Sequence, residues 1–390
     1  MDLVNVYFRL KGHFVIQPLI IFTGFLLLIY ALLIFYYHRS WDQMQLACED
    51  LPLPSIQVSV IIAARNEAGR IRDCLQALSR QSYPKALTEI IVVNDFSTDE
   101  TAAIVMEYRD CCKLVNLSDF VANPLSAYKK KAIETGIAQS GGELIICTDA
   151  DCTMDTEWIG TLVAEQQQKN LVFIAAPVKI VTNGSALGVF QILDFISLQG
   201  ITGVAVFKKL YPMCNGANLA YLRQAFDAVG GFADIDHIAS GDDMLLMKKI
   251  QALFPGRSGY IKDPRAIVST EPAENIQAFF SQRIRWASKV SHYKHPATFF
   301  TLALVFLLNI TLLLLFFFCL FFGHWRMLLI FLAGKTISEY FFVAKVASFF
   351  GQQSLMKYFP ICQPFHIVYT VIAGSLGSLG RYEWKNRKVK

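Results

Sequence analysis

Charge is scarce in this chain: Asp, Glu, Lys and Arg make up 17% of the residues, against 54% for hydrophobic types. The scarcity is uneven. Uncharged apolar blocks sit near both ends, which is the pattern of a membrane protein. Basic stretches interleaved with aromatics are missing from the central part. This excludes a nucleic-acid surface and assigns the net charge of +5 to membrane flanks. Cys-x-x-Cys is also missing, and the nine cysteines are scattered and odd in number. Neither a zinc site nor a disulfide framework is expected; reduced thiols facing the cytosol fit better. The 390 residues leave room for two to three domains.

What is present turns on Leu144-Ile-Ile-Cys-Thr-Asp-Ala-Asp151. The apolar run reads as a short buried strand that ends in two acids one residue apart. On an extended backbone residues i and i+2 point the same way, so Asp149 and Asp151 are expected to present both carboxylates to one point. That point lies beyond a strand end, where ligands of open α/β sheets bind. Two close carboxylates want a counter-cation, and Mg2+ or Mn2+ suits hard oxygen ligands that bridge to substrate phosphates. A plain turn after a strand is the competing reading.

Around this stretch, strands are expected over residues 57–64, 89–94 and 113–117. Helices are expected over 68–79, 102–108 and 129–138, with Ser97 and Asp99 able to cap the second. Strands alternating with helices argue a doubly wound, mostly parallel α/β sheet. In it, Asn66, Asp95 and Asp149 all fall at carboxyl ends of strands and line one crevice. A further helix is expected over 274–290, with Gln282 and Arg285 on one face. Its Arg283, Lys289 and Lys294 would point to anionic headgroups if the helix lies on a membrane.

Residues 17–37 and 299–322 are uncharged and long enough to span about 30 Å of hydrocarbon, as are 360–380. Residues 327–350 are apolar too but carry Lys335, Glu339 and Lys345. Lys335 and Glu339, four apart, either pair in a buried seam or mark an interfacial helix. The tail 381–390 has five basic residues and one acid, which favours the cytosolic side. Two spans after the central domain return the tail to that side, so 327–350 is expected not to span. The resulting plan is an anchor (1–40), a linker (41–54), a central domain (55–272), an interfacial helix (273–298), two to three membrane segments (299–380) and a basic cytoplasmic tail (381–390).

Val60-Ile-Ile-Ala-Ala-Arg-Asn-Glu67, Val92-Val-Asn-Asp-Phe-Ser-Thr-Asp99 and Thr148-Asp-Ala-Asp151 resemble successive signatures of membrane-bound family-two glycosyltransferases with the GT-A fold. Further along, Asn215-Gly-Ala-Asn-Leu-Ala-Tyr221 and Val229-Gly-Gly-Phe232 resemble the acceptor-side loop of that family. Ser240-Gly-Asp-Asp243 resembles its catalytic-base segment, and Gln282-Arg-Ile-Arg-Trp286 its Gln-x-x-Arg-Trp motif. The match runs from about residue 55 to 288, in the family's order. The resemblance implies an inverting glycosyltransferase that uses a nucleotide sugar, a UDP-sugar in the first instance. Ala64, Arg65, Glu67, Asp95, Lys129, Asp149 and Arg285 would bind the nucleotide sugar, although three consecutive lysines blur which one meets the diphosphate. Asp149 and Asp151 would hold the Mg2+ or Mn2+. Asp243, with Asp242 beside it, would be the catalytic base; two adjacent acids near a polyanion raise one pKa, and a helix cap is the competing role. Asn215, Gly216, Asn218, Gln282 and Trp286 would bind a lipid-linked or glycan acceptor. The expected setting is integral to a bacterial inner membrane, with the catalytic domain cytoplasmic. Few membrane segments favour single transfer; a processive polysaccharide synthase is the alternative, and a non-catalytic nucleotide-sugar-binding membrane subunit is a third.

Overall fold

The structure, a computed structural model, describes residues 3–46, 54–121, 127–238, 241–289, 295–377, 382–384 and 387–389. Ser240 and Lys294 therefore lie outside the described residues. The chain divides into two compact units. One comprises residues 43–183, 201–272 and 389–390; the other comprises 1–42, 184–200 and 273–388.

After the first helix, α1 (Leu3–Gln43), the chain enters the α/β unit with β1 (Val58–Ala64), α2 (Ile71–Ser79), β2 (Thr88–Asn94), α3 (Thr101–Glu107) and β3 (Lys113–Asn116). Next come α4 (Tyr128–Ala138), β4 (Leu144–Asp149), β5 (Thr153–Met154), α5 (Trp158–Lys169), β6 (Phe173–Ala175) and β7 (Val178–Ile180). The strands β1 and β4 are nearly continuous apolar runs, buried along their length, as strands covered on both faces must be. α6 (Ala186–Phe207) starts in the helical unit, and β8 (Asn218–Leu222), α7 (Arg223–Ala228), α8 (Met244–Leu253), β9 (Ser258–Tyr260) and β10 (Val268–Thr270) complete the α/β unit.

Seven strands form one sheet in the order β3-β2-β1-β4-β8-β6-β9. Pairing is parallel except where β8 runs against β4 and β6. This is the expected mostly parallel α/β sheet. The register sets Ala64 opposite Asn94 and Ala63 opposite Asp149, so the ends of β1, β2 and β4 are neighbours. Helix α4 lies close on the sheet because Gly136 has no side chain: a Cβ there would meet Ile61 Cγ2 at 2.7 Å. A second, three-stranded sheet has the order β5-β10-β7.

The helical unit continues with α9 (Ile276–Ser288), α10 (Pro296–Phe322), α11 (Trp325–Phe349) and α12 (Phe359–Gly377), and the tail pairs β11 (Tyr382–Trp384) with β12 (Arg387–Val389). Among the described residues, five helical stretches are long and apolar enough to cross a membrane: Ile16–Gln43, Ala186–Phe207, Pro296–Phe322, Trp325–Phe349 and Gln353–Gly377. The first, third and fifth have apolar outer faces: Ile21, Phe300, Phe321 and Ile361 are 72%, 69%, 81% and 78% exposed, a surface that suits lipid rather than water, whereas Ala186–Phe207 is mostly buried.

Residues 327–349 belong to a continuous helix of 25 residues, Trp325–Phe349, in which Lys335 and Glu339 form the buried pair, one of the two expected arrangements, at 2.7 Å. Gln363 of α12 accepts from Lys335 at 2.7 Å and donates to Glu339 at 2.6 Å, while the Tyr30 hydroxyl of α1 donates to Glu339 at 2.6 Å. All four side chains are buried. One expectation is corrected here, and it concerns α9. Arg283 does not face headgroups; it is buried and paired with Asp194 of α6 at 2.7 Å.

Removing one partner of a buried pair leaves an uncompensated charge. Glu339→Ala is expected to destabilise the helical unit by about 3–5 kcal/mol, while Lys335→Met with Glu339→Met recovers most of that loss. Unfolding of the purified protein in detergent checks both; a wild-type transition for Glu339→Ala would remove the network from the account of stability.

Candidate active site

The site assembles at the carboxyl ends of β1, β2 and β4. Backbone contacts lock the first two turns together. Asp95 N–H donates to Ala64 O at 2.8 Å, and Arg65 donates to the carbonyls of Asp95 and Phe96, each at 2.9 Å. Asn66 and Phe96 both sit at φ 51°, a strained conformation for residues with side chains. Hydrogen bonds from the opposite turn stabilise Asn66: its Oδ1 accepts from Thr98 N–H at 2.8 Å, and its N–H donates to Ser97 at 3.1 Å. Glu67 N–H donates to Thr101 Oγ1 at 2.8 Å, and Asp99 Oδ1 accepts from Thr101 N–H at 3.0 Å at the start of α3. Asp95 itself is buried.

Asp149 and Asp151 do not lie along one extended backbone. Asp149 ends β4, and a turn follows in which Cys152 N–H donates to Asp149 O at 3.2 Å. The carboxylates are nevertheless electrically close: burial, and then the charge of Asp149, push the Asp151 carboxyl up from its ordinary range. Thr270 Oγ1 at the end of β10 donates to Asp151 at 3.2 Å. The thiols beneath this turn, Cys74 and Cys152, are raised by burial and then by the Asp151 charge, so they stay neutral.

The three lysines separate cleanly. Lys129 Nζ donates to Asp149 Oδ1 at 2.7 Å and lies 3.4 Å from Asp242 Oδ2. Burial would lower its pKa, but Asp149 and then Asp242 outweigh that and hold it above the ordinary lysine value. Lys130 is buried with its ammonium on the carbonyl of Ile238, and Lys131 pairs with Glu134 at 2.7 Å. Lys129 is thus the lysine that joins the two acidic segments.

Asp243 closes the site from α8. Its Oδ1 accepts from Met244 N–H at 2.7 Å and its Oδ2 from Gly216 N–H at 3.2 Å. The cap expected as a competing role therefore exists alongside the placement beside Lys129 and Asp242. Gly216 approaches closely: a Cβ there would lie 3.1 Å from Asp242 Oδ2 and 3.2 Å from Lys129 Nζ, so those side chains would have to give way slightly. Asn215 supports this loop, its Oδ1 accepting from Ala217 N–H at 3.0 Å.

Asn218 is a correction. Its side chain is fully buried and spent inside the protein: Nδ2 donates to Pro177 O at 2.7 Å and Ala266 O at 2.8 Å, and Oδ1 accepts from Trp158 Nε1 at 3.1 Å. It knits β8 to the neighbouring segments and is not available to an acceptor.

Gln282, Arg285 and Trp286 belong to the helical unit. Gln282 Oε1 accepts from Arg283 at 3.0 Å, and the Arg283 guanidinium lies over Trp286 at 4.2 Å from the ring centroid. Arg285 is half-buried in the last turn of α9. Sequence reasoning missed Thr270, which nothing in its surroundings marks, and Asp194, which is marked as the one acid in the apolar stretch of α6.

As a cation site, the donor set is two carboxylates. No group of three or more His, Cys, Asp or Glu capable of holding a metal occurs among the described residues. Two hard oxygen donors, with the nearby thiols kept neutral, fit Mg2+ or Mn2+, which complete their shells with water and substrate phosphate.

The comparisons with known proteins agree with this architecture. Residues 59–230 match the model for glycosyl transferase family 2. Residues 59–230 thus carry the family 2 glycosyltransferase signature on a GT-A-like fold. It is 28% identical over 232 residues to a poly-beta-1,6-N-acetyl-D-glucosamine synthase of Staphylococcus epidermidis, covering 59% of this chain and 53% of that protein. It is 29% identical over 249 residues to the probable glycosyltransferase YdaM of Bacillus subtilis, covering 59% and 54%. The chain thus spans about half the length of these curated relatives. Among solved structures, the mannosyltransferase PcManGT of Pyrobaculum calidifontis, in complex with GDP-Man and Mn2+, aligns with a TM-score of 0.58 at 18% identity. That alignment covers 92% of this chain and 98% of that one.

Lys129→Met is expected to leave Asp149 and Asp242 repelling an incoming diphosphate and to weaken UDP binding at least about tenfold, whereas Lys131→Met, a surface change, stays within about 0.5 kcal/mol of wild type. Calorimetric titration with UDP checks the pair; equal effects would deny Lys129 its special place.

Proposed function

We propose that this protein transfers a sugar, with inversion, from a nucleotide sugar to a lipid-linked or membrane-embedded acceptor, assisted by Mg2+ or Mn2+. The observation that carries the reading is the convergence of Asp149, Asp242 and Asp243 around Lys129 at the ends of the sheet. Ala64, Arg65, Glu67 and Asp95 would receive the nucleoside, and Lys129 and Arg285 would balance the diphosphate. Asp149 and Asp151 would hold the divalent cation, which supplies Lewis-acid stabilisation of charge on the leaving diphosphate. Asp243 would accept the proton of the acceptor hydroxyl. Its hydrogen bonds from two backbone N–H groups orient the carboxylate. Asn215, Gly216, Gln282 and Trp286 would contact the acceptor. Nucleotide sugars are cytosolic, so the catalytic domain would face the cytosol at a bacterial inner membrane.

A second reading, processive polysaccharide synthesis, is favoured by the name of the S. epidermidis relative. Among the described residues, five helices are long and apolar enough to cross a membrane, against the three or four segments that favoured single transfer, although Ala186–Phe207 is mostly buried.

Full-length protein in vesicles, given radiolabelled UDP-N-acetylglucosamine or GDP-mannose, tests the proposal. Single transfer yields one labelled lipid; a ladder of products supports the processive reading instead. Asp243→Asn is expected to lose at least about a hundredfold in turnover while UDP binding persists, and EDTA is expected to stop transfer. Normal transfer by Asp243→Asn would remove that residue from the base role.

A further inference from the structure

Asp194 and Arg283 form a charged pair that the reaction outlined above does not use. Asp194 lies on α6 and Arg283 on α9, 89 residues apart in sequence, and their side chains are 3% and 4% exposed. The acid faces three groups: the Arg283 guanidinium donates to Oδ2 at 2.7 Å, the Tyr369 hydroxyl of α12 donates to Oδ1, and His366 Nε2 of α12 lies 3.9 Å from Oδ1. The guanidinium in turn meets three groups of its own helix. It donates to Gln282 Oε1 at 3.0 Å and lies over the rings of Trp286 at 4.2 Å and Phe279 at 4.9 Å. Phe195, next to Asp194, adds a ring 6.1 Å from Trp286. A buried ion pair is weak evidence for stability, because apolar residues of similar volume often serve as well; its better-attested effect is to fix one arrangement among several. Here the arrangement it fixes is that of two side chains of the Gln-x-x-Arg-Trp segment.

We propose that Asp194 is a positioning residue for the acceptor-side motif: it orients Arg283, and through that guanidinium sets the Trp286 ring and the Gln282 amide. The proposal rests on the reading above, in which Gln282 and Trp286 meet the acceptor. Arg283 is suited to the task because a planar fork can bond two oxygens while its face covers an aromatic ring; a lysine ammonium keeps the charge but loses both features.

Full-length protein in phospholipid vesicles, with UDP-N-acetylglucosamine as donor and a polyprenyl phosphate as acceptor, separates positioning from support. Arg283→Lys retains the charge opposite Asp194 and is expected to melt within a few degrees of wild type. It is expected to lose about tenfold to a hundredfold in kcat/KM for the acceptor, the scale of a misplaced contact, with the Kd for UDP unchanged. The tryptophan emission assigned to residue 286, obtained by subtracting a Trp286→Phe sample, is expected to shift in Arg283→Lys and in Asp194→Asn, and to stay near wild type in Asp194→Glu. Wild-type acceptor kinetics in Arg283→Lys, or losses that only follow the folded fraction, would overturn the proposal. If Asp194→Asn does not fold, Arg283→Lys still decides. If wild-type protein transfers no sugar to this acceptor, the functional reading is what fails, and the emission comparison still decides whether Asp194 governs Trp286.

Discussion

A single ammonium shared by two carboxylates holds the active-site end of the α/β unit together. Asp149 comes from the last position of β4 and Asp242 from the segment before α8; left to themselves they would repel at close range. Lys129, presented by the first turn of α4, sits between them, and the glycine at 216 leaves room beside it. The rest of the site depends on that balance. Asp243 follows Asp242 directly and is aimed by two backbone N–H groups, so the placement of Asp242 against Lys129 also places the adjacent acid. On the function proposed above, a diphosphate would draw on the charge of Lys129, and Asp149 would then be free to help hold a divalent cation.

The helical unit solves the same electrostatic difficulty among apolar helices. Lys335 with Glu339, and Arg283 with Asp194, are charges placed among apolar side chains, and each is matched by a partner and by a neutral hydrogen-bonding group, Gln363 and Tyr30 in one case, Tyr369 in the other. Each network joins three helices: α1, α11 and α12 in the first, α6, α9 and α12 in the second. Apolar helices lack the hydrophobic driving force toward one another that water would supply, so polar contacts of this kind select a packing that Leu and Phe alone leave degenerate. The cluster of Phe190, Phe279, Tyr369 and Ala373 then fills the space around the second network.

The legible parts of the fold are those whose signal is local. β1, β2 and β4 are runs of Val and Ile buried on both faces, and their ends fell within a residue or two of expectation, except that β4 continues to Asp149. β6 and β9, three residues each, and the long helix α6 carried no comparable signal in the α/β pattern, because strands this short show no period and an apolar helix shows none of its own by composition. At the site, motif order identified the acidic segments and Lys129, but it did not tell which side chains turn inward. Asn218 stands in the same motif as Gly216 yet points into the core, since strand β8 begins there and alternation takes over. Asp149 and Asp151 come close for a reason other than the one the spacing offered: a turn, not an extended backbone, carries the second acid. The burial of Arg283 was invisible because its partner is remote in sequence.

The helix α11 shows how an apolar segment can carry charge. It holds four charged residues in 25, Arg326, Lys335, Glu339 and Lys345, and these argue against hydrocarbon only if each must be solvated alone. Lys335 and Glu339 cancel within one helical turn and are saturated by Gln363 and Tyr30, while Lys345, toward the end of the helix, reaches Asp42 at the end of α1. The middle of the segment therefore carries no uncompensated charge, Arg326 lies at its start, and its outer face, with Leu329, Ile330, Ile337 and Phe341 exposed, is apolar. Hydropathy prices residues singly, whereas a bilayer responds to the charge left over after the helices have packed, so a paired seam of this kind adds little to the cost of crossing and adds specificity to the packing.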